Sequence, residues 1–186
     1  MSQIAPSPPP APTPPPPPPP PPVVGFSSDT MFTTASRENL NFSLLDFLQG
    51  PWDWKRSFCV ANNVVRSVLM NRAVSLGVQS CHEIQINSRD TFRCGDDQVF
   101  YQEDGTPIIA SALRVGQRLR GIIPQNNSFS GQGLGLLSTY AGAIFEVTSR
   151  RQLSQPQTLY HASVVEHDNY MLACGLVVQA LPTPTP

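Results

Sequence analysis

Hydrophobic and polar positions fall into three regimes along the chain. Residues 1–22 show no alternation, because they are dominated by proline and include the unbroken run Pro14 to Pro22. Proline fixes φ and lacks a backbone donor, so this stretch forms neither helix nor sheet and populates polyproline II. Residues 23–35 have no clear period. A short helix is predicted from Ser43, whose hydroxyl caps it and whose third neighbour Asp46 completes a capping-box pattern. It carries Leu44, Leu45, Phe47 and Leu48 and stops at Gly50-Pro51. A longer helix is predicted next, since Ala61, Val64, Val65, Val68 and Leu69 recur at i, i+3, i+4, i+7 and i+8, with Gly77 as its stop. After Gly77 the period becomes two. His82 to Asn87 alternates, and Val99-Phe100-Tyr101 runs into a tight-turn signal at Asp104-Gly105. A strand resumes from Pro107 to Ala110, and Ala143–Val147, Thr158–Val165 and Asn169–Gln179 are further strands rich in Ile, Val, Phe and Tyr. Gln125 to Gly135 reads as a flexible loop.

The predicted fold class is therefore mainly β. A compact all-β domain spans about residues 78–180, with a helical segment packed on it over 25–77. A disordered proline-rich arm precedes them over 1–24, and a Pro/Thr tail follows over 181–186. The chain has 186 residues, and 14 of its 21 prolines lie in residues 1–22. What remains is long enough to bury an apolar interior without staples.

Composition narrows the function classes. Twelve basic and 13 acidic residues give a formal charge of −1, so no basic surplus favours nucleic acid or an anionic membrane. No apolar run reaches the length of a membrane span, and Met1 to Pro6 has neither basic nor apolar character of a signal peptide. An intracellular, cytoplasmic location is expected. Cys59, Cys81, Cys94 and Cys174 are widely spaced, without a Cys-x-x-Cys or a nearby His pair, so reduced thiols are expected and neither metal nor cofactor. Two sequons, at Asn41 and Asn126, carry no weight in such a chain.

Two stretches carry a family resemblance. Thr91-Phe92-Arg93-Cys94-Gly95-Asp96-Asp97-Gln98-Val99-Phe100, followed by Gly105, Ala110, Leu113, Gly116 and Leu119, is a strand, a turn, an aromatic strand, a turn glycine and an Ala-x-x-Leu-x-x-Gly-x-x-Leu segment. Leu159 to Gln179 is a Tyr-led strand, a polar turn with the pair Asn169-Tyr170, then Gly175 and an apolar strand. Together they resemble the Hint domain of inteins and hedgehog proteins. The resemblance implies self-cleavage or self-splicing. A Cys or Ser opening the domain attacks the preceding carbonyl, a Thr and a His of the first motif assist, and a terminal His-Asn completes release.

Carried over by residue, the resemblance puts the Thr position at Cys94, the His position at Asp97 and the closing His at Asp168, with Gln179-Ala180 in place of the terminal pair. These replacements imply an inactive site, since an ionised carboxylate has no proton to give a leaving amine. The nucleophile belongs some sixty residues or more before the first motif by the family's layout, where Ser27, Ser28 and Ser36 are candidates and no cysteine occurs; Cys59 sits too close. His161 reads as a core or edge histidine, His167 as a solvated turn residue, and a pairing of either with Cys174 as base and thiol is a minor alternative. Trp52 and Trp54 read as a hydrophobic anchor. Three functions stay open: a Hint-like domain without self-cleavage that serves as a tethered interaction or assembly module; an active self-processing domain; and an unrelated β-domain displaying polyproline. In the first and third, Pro14, Pro16, Pro19 and Pro22 offer a strip to SH3, WW or profilin-type partners.

Overall fold

The period-two stretches pair as strands. In the computed structural model, residues 18–33, 41–49, 55–61, 64–70, 73–124 and 140–181 are described. β1 (Phe26–Ser27), β2 (Met31–Thr33) and β3 (Asn41–Ser43) lead into the one helix among them, α1 (Leu44–Gln49). Next come β4 (Lys55–Ala61), β5 (Val64–Met70) and β6 (Val74–Gln79), then β7 (Cys81–Ile86), β8 (Asp90–Gly95), β9 (Val99–Tyr101) and β10 (Pro107–Ile109). A 3-10 turn at Ala110–Ala112 precedes β11 (Arg118–Pro124), β12 (Tyr140–Gln152), β13 (Gln157–His161), β14 (Asn169–Met171) and β15 (Val177–Gln179). The largest sheet runs β11-β12-β7-β8-β1-β13-β6, and a second runs β10-β9-β15-β14.

The short helix starts as its sequence predicts, with the Asp46 N–H donating to Ser43 Oγ at 2.9 Å. The Asp104-Gly105 turn also forms, with Gly105 at φ +89°. The longer helix does not. Lys55–Ala61 and Val64–Met70 pair antiparallel from Lys55↔Met70 to Ala61↔Val64. Exposure there alternates: Ser57 and Cys59 are buried and Phe58 and Val60 half-buried, while Val68 and Met70 are buried and Leu69 half-buried. Val64, Val65, Val68 and Leu69 satisfy both periods over so short a stretch, and three β-branched side chains decide for the extended form. Gly77 is not a helix stop either. It lies inside β6 at φ +77°, where the pairing with β13 shifts register between Leu159 and Tyr160.

From the first half of the chain, β1 sits between β8 and β13 and β6 forms the large sheet's far edge, while β2-β3 and β4-β5 make two separate two-stranded sheets. Phe26 shows why β1 belongs in the large sheet. It is fully buried and meets Phe92, Phe100 and His161 edge-on at ring separations of 6.3, 6.5 and 5.9 Å. Residues 1–17, Trp52, Trp54 and the loop at 125–135 lie outside the described residues.

Candidate functional site

The site is built where the arm meets the domain. Pro18 to Pro22 are exposed and have no regular structure, Val23 and Val24 are half-buried, and Gly25 is buried just ahead of β1. The turn between β8 and β9 grips this stretch. The Val23 N–H donates to Asp97 Oδ2 at 2.8 Å, and the Asp97 N–H returns a bond to the Val23 carbonyl, also at 2.8 Å. The Gly95 N–H donates to the Gly25 carbonyl at 2.9 Å. The Gly25 N–H, the amide of the Val24–Gly25 peptide, donates to Gln98 Oε1 at 3.0 Å. Close approach is possible because Gly95 lacks a side chain: a Cβ there would come within 2.3 Å of the Val23 carbonyl oxygen.

Gln98 does more than accept that bond. It is buried, and its Nε2 donates to the Gln179 carbonyl at 3.1 Å and to the Val99 carbonyl at 3.2 Å. One carboxamide thus ties the start of the domain to the end of β15. The turn itself is anchored from behind. Ser80 Oγ donates to Asp96 Oδ2 at 2.9 Å, Asp96 Oδ1 lies 3.4 Å from buried His82 Nε2, and Arg150 comes within 3.3 Å of the same nitrogen. Burial, and then the Arg150 charge, push the His82 pKa below its ordinary value.

The sequence-predicted residues divide around this junction. Asp97 is in it, bonded to the arm. Cys94 is not: its side chain belongs to the fully buried core, and burial holds the thiol well above its usual pKa. Asp168 lines a cleft of about 240 Å³ with Val60, Tyr101, Arg120 and Asn169. Its Oδ1 accepts from Asn169 Nδ2 at 2.8 Å, and its carbonyl accepts the Ala180 N–H at 2.7 Å. The serine candidates fare no better. Ser27 Oγ donates to Asp29 Oδ1 at 2.5 Å, two residues beyond the held amide, and Ser36 lies outside the described residues. His161 is a core histidine, with Nδ1 accepting the Ala162 N–H at 2.9 Å and lying 3.3 Å from the Tyr170 hydroxyl. Burial raises the Cys174 thiol to about 11, which leaves it protonated at neutral pH.

Gln98 and Gly25 are the positions that sequence reasoning passed over. The signal was present for both: Gln98 directly precedes the aromatic strand Val99–Tyr101, and Gly25 directly precedes the apolar Phe26.

No protein-family model and no curated protein matches the chain. Solved structures do match it. A DnaB intein from Synechocystis sp. PCC 6803 superposes with a TM-score of 0.68 at 13% identity, over 86% of this chain and 99% of the intein. The TvoVMA intein gives 0.65 at 13% identity, over 83% and 96%. A bacterial intein-like domain from Clostridium thermocellum gives 0.61 at 15% identity, over 83% and 97%. Likeness this broad at such low identity is likeness of backbone. The chain has the fold of inteins and Hint domains.

Proposed function

We propose that this chain is a Hint-fold domain that does not cleave itself and instead serves as a tethered module for protein interaction or assembly. The observation that carries this reading is the residue at the held amide. Self-cleavage in this fold needs a side-chain nucleophile on the residue whose nitrogen will leave, and a group that protonates that nitrogen. The amide gripped by the turn is that of Gly25, which has no side chain. The group facing it is the Gln98 carboxamide, which accepts the N–H through Oε1 and has no ionisable proton to give. At the other end, Ala180 lacks the carboxamide that a terminal Asn would turn on its own carbonyl. What survives is grip without chemistry, and it holds the arm to the domain.

Intact-mass spectrometry tests this directly. The purified chain is expected to keep its full mass for days at neutral pH with dithiothreitol or hydroxylamine, and Asp97→His is expected to leave that unchanged. A discrete thiol-dependent fragment, abolished by one Cys→Ala or Ser→Ala change, would replace this reading with an active self-processing domain.

A further inference from the structure

Resting on that reading of the domain as a tethered interaction module, we propose that Pro18–Pro22 and the edge strand β6 form one composite surface. Its partner is a protein whose groove is lined by aromatic rings and has no acidic anchor pocket.

The arm's chemistry defines the groove. The first charged residue in the chain is Asp29 and the first aromatic is Phe26. A partner that pins polyproline through an acidic pocket for Arg or Lys, or a pocket for Tyr, finds neither here. What the arm offers is proline ring faces and backbone carbonyls. Stacked Trp and Tyr side chains take both, since their faces pack on the rings and their N–H and O–H groups donate to the carbonyls. Polyproline II is already extended before binding, so little chain entropy is lost in docking.

The root of the arm defines where that partner sits. The paired bonds between Val23 and Asp97 and the bond from Gly25 to Gln98 fix the point where the arm leaves the domain. Five exposed prolines beyond it reach about 16 Å as polyproline II. A domain bound there sits within that reach of the root. β13 separates β1 from β6, but a β6 side chain reaches over it to the root: a Cβ added at Gly25 would meet Leu76 Cδ1 at 3.0 Å. Flanking Leu76, Val74 is 44% and Val78 68% exposed. β6 ends the seven-stranded sheet, and its sequence, VSLGVQ, carries no charge. Edge strands usually protect themselves with Lys, Glu or Pro. An uncharged, valine-studded edge next to a rooted polyproline strip extends the arm's apolar surface.

Calorimetric titration of the full chain and of a peptide of residues 1–24 separates the parts, with a purified profilin, an SH3 domain with an acidic pocket and a Tyr-reading WW domain as probes. The profilin is expected to bind the full chain about tenfold more tightly than the peptide, as two linked contacts should. Val74→Ser with Val78→Ser, or Val78→Lys alone, is expected to lower the full chain to the peptide's affinity without moving its melting temperature. Equal affinity for chain and peptide, or tighter binding to the SH3 or WW domain, overturns the composite surface. Intact mass of the same samples scores the functional reading separately: a self-cleavage fragment removes that reading, while equal affinities from an intact chain remove only the surface.

Discussion

Gly25 combines two constraints, a backbone φ of +102° and a neighbour that leaves no room for a methyl group, since a Cβ would fall 2.8 Å from the Tyr160 carbonyl oxygen. Gly25→Ala is therefore expected to destabilise the domain by about 1–3 kcal/mol, read as a lower denaturant midpoint with an unchanged slope. His161 gives a second expectation at this scale. Burial holds the folded imidazole neutral down to about 3, whereas the unfolded one takes up its proton near 6.5. Its contribution is complete above about pH 6.5 and is lost as pH falls towards 3, because protons bind the unfolded chain preferentially. His82, also shifted down, acts in the same direction. For His161 the cost is on the order of 1 kcal/mol per pH unit below about 6.5. Denaturant melts of His161→Gln between pH 7 and 5 should show a shallower pH slope than the wild-type chain, whatever the absolute stability of the variant. The core role of His161 was legible from its place in a Tyr-led strand. The role of Gln98 was not, because a glutamine's partners are set by contacts 73 and 81 residues away in sequence.

At the scale of elements, the β4–β5 hairpin is the instructive case. Ala61 to Leu69 presents apolar residues at helical spacing, and the valines alone favour strand, so local sequence is divided. The extended form is also held by a partner 109 residues away. Asn169, at the start of β14, accepts the Val60 N–H at 2.8 Å through Oδ1 and donates to the Val60 carbonyl at 3.0 Å through Nδ2, mimicking a strand for one residue. Asn169→Ala leaves both groups of Val60 without that partner, and is expected to cost about 1–3 kcal/mol. It should also speed amide exchange at Val60 before the core strands respond. The strands from β7 to β10 were legible because their alternation, the Asp104-Gly105 turn and Pro107 agree with one another. The hairpin was not, because its two local signals conflict.

At the scale of the whole molecule, the arm should be dispensable for stability up to a sharp limit. Removing residues 1–22 deletes only exposed prolines from the described part of the chain and is expected to leave the melting temperature within a degree or two. Removing residues 1–24 also takes away both Val23–Asp97 hydrogen bonds, and is expected to lower it by several degrees, at about 2–4 °C per kcal/mol for a chain of this size. Scanning calorimetry of the two truncations locates the boundary. The Gln98 carboxamide has a mechanical consequence too. With a hydrogen bond on each side of one amide, the Gly25 nitrogen and the Gln179 oxygen lie within about 8 Å of each other. Tension applied to the chain at Pro22 and Leu181 therefore enters and leaves the molecule at nearly one point, and loads its sheets by peeling rather than by sliding strands past one another. In an optical trap with handles at those residues, the domain should open at low force, outermost contacts first. Gln98→Ala should lower the first rupture force while leaving the total length released unchanged.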